Sequence, residues 1–442
     1  MPRPPSPSRR RFLGATVRAA AAFAAPAIVP ASVLGPRAPG NRINVGMIGL
    51  GRQARRPNLP QLLALPDVQV VAACDVDAWR LEEGRRAVES FYGSRAGRDG
   101  WTGCAAFRDF RDLLARPEVD AVMISTPDHW HVPMGILAAR AGKHVSVEKP
   151  LSTSIAEGRA LCEAVARHRV VGRTDSEFRS LEPFRRAAAL VRHGRIGRLH
   201  TIRAGAPPDS PPVPPQPTMP VPEGLDYDLW LGPAPEAPYT ERRVHAPRDV
   251  KSRPGWMRVS DYTNGMISNW GTHLLDIAQW ANGTERTGPV EVVGTGEFSR
   301  GLWDTITAFE VRYAYANGVR LVYRIDRPYV RFEGTGGWVE AGYPDALSAG
   351  PESLLREAIE PDAATLAARR SDKEDWVHAI RNGGETLEPI EVGHRTASVC
   401  QLGLIAVTLG GRLRFDPDRE TFPDDNAASA RLALPRRSPW GV

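Results

Sequence analysis

The sequence predicts an α/β chain: a doubly wound parallel sheet with helices on its faces, followed by a region with an antiparallel sheet. Three observations predict it. Short apolar strands alternate with helical patterns over residues 42–172. A Gly49-Leu50-Gly51 turn follows the first strand at once, and an acid, Asp75, closes the second. Further on, Asn317-Gly318 separates two alternating strands, which is a hairpin signal.

The strands of the first region read as 43–48, 68–74, 119–125 and 144–147, with helices over 78–91 and 132–141 between them. A helix over 157–167 and a strand over 170–174 lead into the second region. Each strand is followed by a helix, so the connections are crossovers and the strands run parallel. In the turn Gly49-Leu50-Gly51-Arg52-Gln53-Ala54, Gly49 permits the tight bend. Gly51 lets the backbone approach a pyrophosphate, and Ala54 allows close packing. Asp75 lies where a carboxylate accepts from the adenosine ribose and repels a 2′-phosphate, so NAD is expected over NADP. Pro57 and Pro60 interrupt the helix expected after this turn, which implies a late start after a longer loop.

In the second region, helices are expected over 183–193, 374–381 and 396–409. Strands are expected over 199–204, 290–298, 306–314, 319–325 and 329–333. Residues 207–222 hold nine prolines and read as an extended arm or a plain surface loop. The tail beyond residue 415 is expected to wrap the surface.

The chain has 442 residues, 42% hydrophobic and 24% charged, the composition of a folded globular protein of two or three domains. Its formal charge of +6 comes mostly from residues 1–34, which hold Arg3, Arg9, Arg10, Arg11 and Arg18 and no acid. Taking those five from 57 leaves 52 Lys and Arg against 51 Asp and Glu. So balanced a remainder points to neither nucleic acid nor a membrane surface as partner. Cys74, Cys104, Cys162 and Cys400 form no C-x-x-C pair and read as small core residues.

Ser8-Arg9-Arg10-Arg11-Phe12-Leu13 precedes an alanine-rich apolar stretch, the anatomy of a signal peptide over residues 1–34. Its arginine string resembles a twin-arginine export signal, which implies a periplasmic or otherwise exported protein with no membrane contact after processing. Free dinucleotide is scarce in such a compartment. An exported nicotinamide enzyme is therefore expected to hold its cofactor tightly.

Chemistry-bearing residues gather in two places. Glu148-Lys149-Pro150 closes a parallel strand, and ligands bind beyond the carboxyl ends of such strands. Lys149 there can donate to a hydroxyl or carbonyl oxygen and relay a proton, against the alternative of a lysine that merely ends a strand. Residues 266–280 have helical spacing and set Asn269, His273 and Asp276 on one face. A histidine so placed suits acid–base work near neutral pH. His129 and His131 form an H-x-H after a strand, but no third ligand accompanies them at motif spacing, so no metal is expected.

Taken together, the Gly49/Gly51 turn, Ser125-Thr126-Pro127-Asp128-His129, Glu148-Lys149-Pro150 and Trp270-Gly271-x-His273-x-x-Asp276 resemble the Gfo/Idh/MocA oxidoreductases over about residues 42–415. The resemblance implies a Rossmann domain (42–172) that binds NAD(P). It also implies a C-terminal α/β domain (173–415) with a large open, mostly antiparallel sheet for substrate and oligomerisation, leaving 416–442 as a tail. It implies that Lys149 and His273 are the catalytic pair, acting on a sugar or polyol carbon. It further implies that residues 125–129 line the cofactor, with His129 or Trp130 near the nicotinamide. Gly49, Gly51, Arg52, Gln53, Asp75, Ser125, Thr126, Pro127, His129, Glu148 and Lys149 are thus the expected cofactor set. Family members often carry aspartate where this chain has Asn269, which can position a group but cannot accept a proton. Asp276 or a water chain is the expected substitute. A homo-oligomer, dimer or tetramer, is expected from the broad sheet. Two other readings stay open: a hydrolase, lyase or epimerase working through transient oxidation, and a non-catalytic sugar-binding or scaffold protein.

Overall fold

The computed structural model describes residues 41–97, 100–359 and 370–441. The export signal expected over residues 1–34 lies outside them.

Six parallel strands form the first sheet: β1 (Ile43–Ile48), β2 (Val68–Cys74), β3 (Ala105–Phe107), β4 (Ala121–Ile124), β5 (His144–Glu148) and β6 (Gly172–Asp175). Their order is β3-β2-β1-β4-β5-β6. The order reverses between β1 and β4, which opens a crevice at the carboxyl ends of those strands. Val45, Met47, Val122 and Met123 are fully buried because helices cover both faces. The short edge strand β3 and the one-turn helix Phe110–Leu114 carry too little pattern to be read from sequence.

The helix after the glycine turn does not start late. A helical turn begins at Arg52 and widens to a π-turn over Ala54–Asn58, then continues as the helix Leu59–Ala64. Pro57 sits inside the widened turn, and Leu59 donates back five residues to the Ala54 carbonyl. The wider loop accommodates a ring that would clash in a regular helix. It also turns Asn58 inward, where its amide donates to Glu148 Oε1 at 2.7 Å and Ser125 Oγ at 3.2 Å.

The second sheet has eight strands: β7 (Leu199–Ala206), β8 (Glu291–Phe298), β9 (Ile306–Ala314), β10 (Arg320–Ile325), β11 (Tyr329–Gly334), β12 (Gly337–Gly342), β13 (Ala346–Gly350) and β14 (Arg412–Arg414). Their order is β13-β12-β11-β7-β10-β9-β8-β14. Only the β7–β10 pair is parallel; the others are antiparallel. Gly318 takes φ +86° in the β9–β10 turn, as the Asn317-Gly318 signal requires. Helices Glu182–Arg192, Gly271–Asn282 and Ile390–Leu409 pack on one face around Leu274, Ile277, Tyr323 and Val399. The other face carries ion pairs such as Arg203–Glu333 (3.2 Å) and Arg331–Glu333 (3.0 Å). Residues 207–222 contain no strand or helix, in line with their prolines.

Late segments of the chain return to the first sheet. The helix Asp372–Asn382 begins with a Ser371/Glu374 capping box and inserts Trp376 and Val377 into the core formed by Val45, Met47 and Leu62. Its Asp372 accepts from Arg173 at 3.0 Å, and Lys373 donates to Asp175 at 2.7 Å, all within the buried interior. The tail follows the same route. Arg436 pairs with Glu157, and the Trp440 ring lies 4.8 Å from that of Trp130.

Candidate active site

One cavity of about 790 Å³ runs along the carboxyl ends of β1, β2, β4 and β5 and under the helix Gly271–Asn282. Gly49, Gly51, Arg52, Gln53, Asp75, Ser125, Thr126, Pro127, Glu148, Lys149, Asn269 and His273 all line it. Residues expected from separate stretches of sequence therefore share one space. His129 and Asp276 do not.

At one end, Gly49 has φ +84°, and a methyl group there would fall 2.7 Å from the Ser125 carbonyl oxygen. Only glycine fits this turn. Asp75 is anchored by backbone donors: Leu50 N–H to Oδ2 at 2.7 Å and Asp77 N–H to Oδ1 at 2.9 Å. Burial pushes its carboxyl up, while the Arg80 charge pulls it down.

At the other end, Lys149 donates from Nζ to the Asn269 carbonyl oxygen at 3.3 Å. His273, 7% exposed, is fixed from two sides. Its Nδ1 lies 3.0 Å from Ser176 Oγ, and its ring stacks on Phe178 at 4.3 Å. Burial, and then the Lys149 charge, hold the imidazole well below its ordinary pKa, so it is neutral at pH 7. Glu148 lies beneath, with Oε1 accepting from Asn58 and Oε2 from the Lys149 backbone N–H at 3.1 Å. Burial and the Asp175 charge raise its carboxyl far above the usual range.

The helix that carries His273 is broken, not continuous over 266–280 as its spacing suggests. A turn Met266–Asn269 ends at Trp270, and Gly271–Asn282 follows. Two carbonyls at the junction take side-chain donors: Ile267 from the Tyr323 hydroxyl at 3.3 Å and Ser268 from the Thr272 hydroxyl at 2.8 Å. A methyl group at Gly271 would fall 2.7 Å from Cys400 Sγ, so any larger residue there would have to displace that buried side chain.

Two expectations need correction. Asp276 faces away from the cavity and is fully buried against Arg179, with Nε–Oδ2 at 2.7 Å and Nη2–Oδ1 at 2.6 Å. Both oxygens are held by a permanent cation, so it is a structural anion and no stand-in for a proton acceptor beside His273. His129 is packed between Trp230 and Tyr262, with Nε2 3.2 Å from the Trp230 carbonyl oxygen. Trp130, the alternative named with it, lines the cavity. The His131 ring spans the Pro150 and Thr126 carbonyl oxygens at 2.7 and 3.0 Å and so ties two cavity-lining turns together. Among the described residues no three His, Cys, Asp or Glu side chains gather as a metal site.

Two further carboxyls line the cavity, Asp128 within the expected 125–129 stretch and Glu177, which the sequence reading missed. Asp128 lines the cavity and accepts from the Thr263 hydroxyl at 2.7 Å; burial raises its pKa to about 7. Glu177, between the two residues that hold His273, also lines the cavity and is raised by burial. Its place just past the end of β6 was the available signal.

Two family models match the chain: "Oxidoreductase family, NAD-binding Rossmann fold" over residues 43–175, and "Oxidoreductase family, C-terminal alpha/beta domain" over residues 215–442. The chain belongs to the Gfo/Idh/MocA oxidoreductase family. A glycosyl hydrolase family 109 protein of Saccharopolyspora erythraea is 38% identical over 115 residues, 26% of this chain and 24% of that protein. The match thus spans about a quarter of that relative's length. Among solved structures, the WlbA dehydrogenase of Bordetella pertussis, in complex with NADH and UDP-GlcNAcA, aligns at 17% identity with a TM-score of 0.61, over 85% of this chain and 99% of the other. The aldose-aldose oxidoreductase of Caulobacter crescentus, in complex with glycerol, aligns at 19% identity and TM-score 0.59, over 85% and 100%. At these identities the structural matches speak for the fold.

Proposed function

We propose that this oxidoreductase moves a hydride between a tightly held NAD and a carbon of a sugar or polyol. The observation that carries the reading is the convergence of Lys149 Nζ and the His273 ring on a cavity that begins at the Gly49–Gly51 turn. The residues fit a dinucleotide. Gly49 and Gly51 leave the turn bare, Asp75 stands at the end of β2, and the buried Thr126 hydroxyl oxygen lacks a protein partner beside the cavity. Gly49, Gly51, Arg52, Gln53 and Asp75 would hold the pyrophosphate and adenosine, and Ser125, Thr126, Pro127 and Glu148 the nicotinamide half. Bound, the nicotinamide supplies the hydride acceptor or donor. Asp75 favours NAD over NADP, since a 2′-phosphate would meet its carboxylate.

Lys149 donates to the substrate oxygen and steadies the charge that grows there. His273 takes or returns the hydroxyl proton. For Nε2 to act as base, Nδ1 must carry the proton, and the Ser176 hydroxyl oxygen 3.0 Å away can accept it. Asn269 lies alongside and positions without accepting a proton. The test is to titrate the purified protein with NADH by nicotinamide fluorescence, then screen aldoses and cyclitols for nicotinamide reduction. Saturable NADH binding and turnover lost in Lys149→Ala are expected. Absence of any NADH binding overturns the reading.

The Glu177 carboxyl favours a second reading, in which oxidation is transient and a proton beside the new ketone is then removed to cleave or epimerise the substrate. Likeness to a glycosyl hydrolase family 109 protein points the same way. Sugar released from glycosides without added nicotinamide, and without net reduction of it, supports this reading; strict dependence on added NAD sinks it. Export by the twin-arginine route and assembly as a dimer or tetramer complete the proposal.

A further inference from the structure

Residues 241–257 come from the second half of the chain yet lie across the first. They are irregular until the single turn Gly255–Arg258. One end is anchored in its own half, where the Trp303 indole N–H donates to the Arg242 carbonyl at 3.0 Å, and the two ends are tied together by Trp256 N–H donating to the Val244 carbonyl at 3.2 Å. The middle is fastened to the dinucleotide side by three bonds. His245 Nε2 lies 3.1 Å from Asp77 Oδ2, two residues past Asp75. Arg80 Nη2 donates to the Asp249 carbonyl at 2.6 Å. Arg52 Nε, in the glycine turn, donates to the Lys251 carbonyl at 3.1 Å.

Beneath this crossing lies the cavity, which Arg242, His245, Asp249 and Arg253 line from the second half. Arg80 is 5% exposed, its Nε lacks a hydrogen-bond partner, and its Nη1 lies 3.6 Å from where a Gly51 methyl would sit. Arg52, Arg56 and Arg253 all line this cavity, and after burial the charges of Arg56 and Arg253 push the Arg52 pKa down. Three guanidiniums lining one cavity offer donors to an anion, and a pyrophosphate is one.

We propose that residues 241–257 are a strap that completes the site for the adenosine diphosphate half of the dinucleotide, and that the coenzyme leaves only when the three bonds open. This rests on the dinucleotide reading above and adds to it: the strap sets how fast the coenzyme leaves.

The test is NADH release from the loaded full-length protein, followed by loss of nicotinamide fluorescence on chasing with excess NAD. His245→Ala should speed release about tenfold, and His245→Gln, which keeps a donor toward Asp77, should stay near wild type. Binding of ADP alone should weaken by the same factor in His245→Ala, since the strap covers that half. Release unchanged in a folded His245→Ala overturns the strap while leaving the dinucleotide reading intact; no NADH binding in wild type overturns both. Amide hydrogen exchange on wild type needs no variant. NAD should protect residues 241–257, and equal exchange with and without NAD overturns the proposal.

Discussion

Arg179 with Asp276, and Lys149 with His273, make an instructive contrast. Each sets one residue just beyond a strand of the first sheet against one on the helix Gly271–Asn282, and all but Lys149 are largely buried. In the first pair every charge is matched. Both Asp276 oxygens take a guanidinium N–H, the third arm of Arg179 reaches the Leu387 carbonyl at 3.0 Å, and its plane lies 5.0 Å over Trp280. In the second, Lys149 finds only a backbone carbonyl at 3.3 Å, and one ring nitrogen of His273 has no protein partner. Satisfied charges hold a fold; unsatisfied ones beside a cavity are free to meet a substrate.

The contrast can be broken at either pair. Lys149→Ala should cut turnover by roughly 10²–10⁴-fold, with urea unfolding and NADH affinity near wild type. Asp276→Ala should do the reverse, lowering unfolding free energy by about 3–5 kcal/mol because Arg179 is left buried and unmatched. The folded fraction should keep its turnover number; a loss of turnover matching that of Lys149→Ala would show that Asp276 acts in catalysis after all.

Asp128 sharpens the point, because its titration favours the unfolded chain at high pH. With a pKa of about 7 in the fold against the ordinary 3.8, it holds its proton when folded and loses it when unfolded. Stability therefore declines as pH rises from about 4 to about 7. Asp128→Asn should be more stable than wild type at pH 8 and show no gain at pH 4, in urea titrations at both. Smallest is Ser176→Ala, which removes the hydrogen-bond partner that orients the His273 ring. Turnover should fall about tenfold with Michaelis constant and stability little changed.

Much of the first sheet was legible because each β-α unit carries its own signals: an apolar run, a glycine or proline boundary, a helical stripe. The glycine turn, Asp75, Lys149 and His273 were legible for the same reason, being local patterns with a fixed place in such a unit. What could not be read depends on distance. The tie between Arg179 and Asp276 spans 97 residues, so Asp276 looked like a partner of His273, its neighbour on the helix. The break at Trp270 depends on Tyr323, and the π-turn at Pro57 opens toward Glu148. Asp128 was read only as part of a motif, and Glu177 lies in a stretch without any; burial is what makes each of them unusual. Strands β12 and β13 are short and glycine-bounded, with little alternation to see.

The return of the helix Asp372–Asn382 to the first sheet has a consequence for how this architecture can be divided. A fragment ending at Asp175 would keep the glycine turn and Lys149 but expose the surface that Trp376 covers, and leave Arg173 and Asp175 without Asp372 and Lys373. Swapping either half for that of a cousin would therefore have to carry the distant stitch as well.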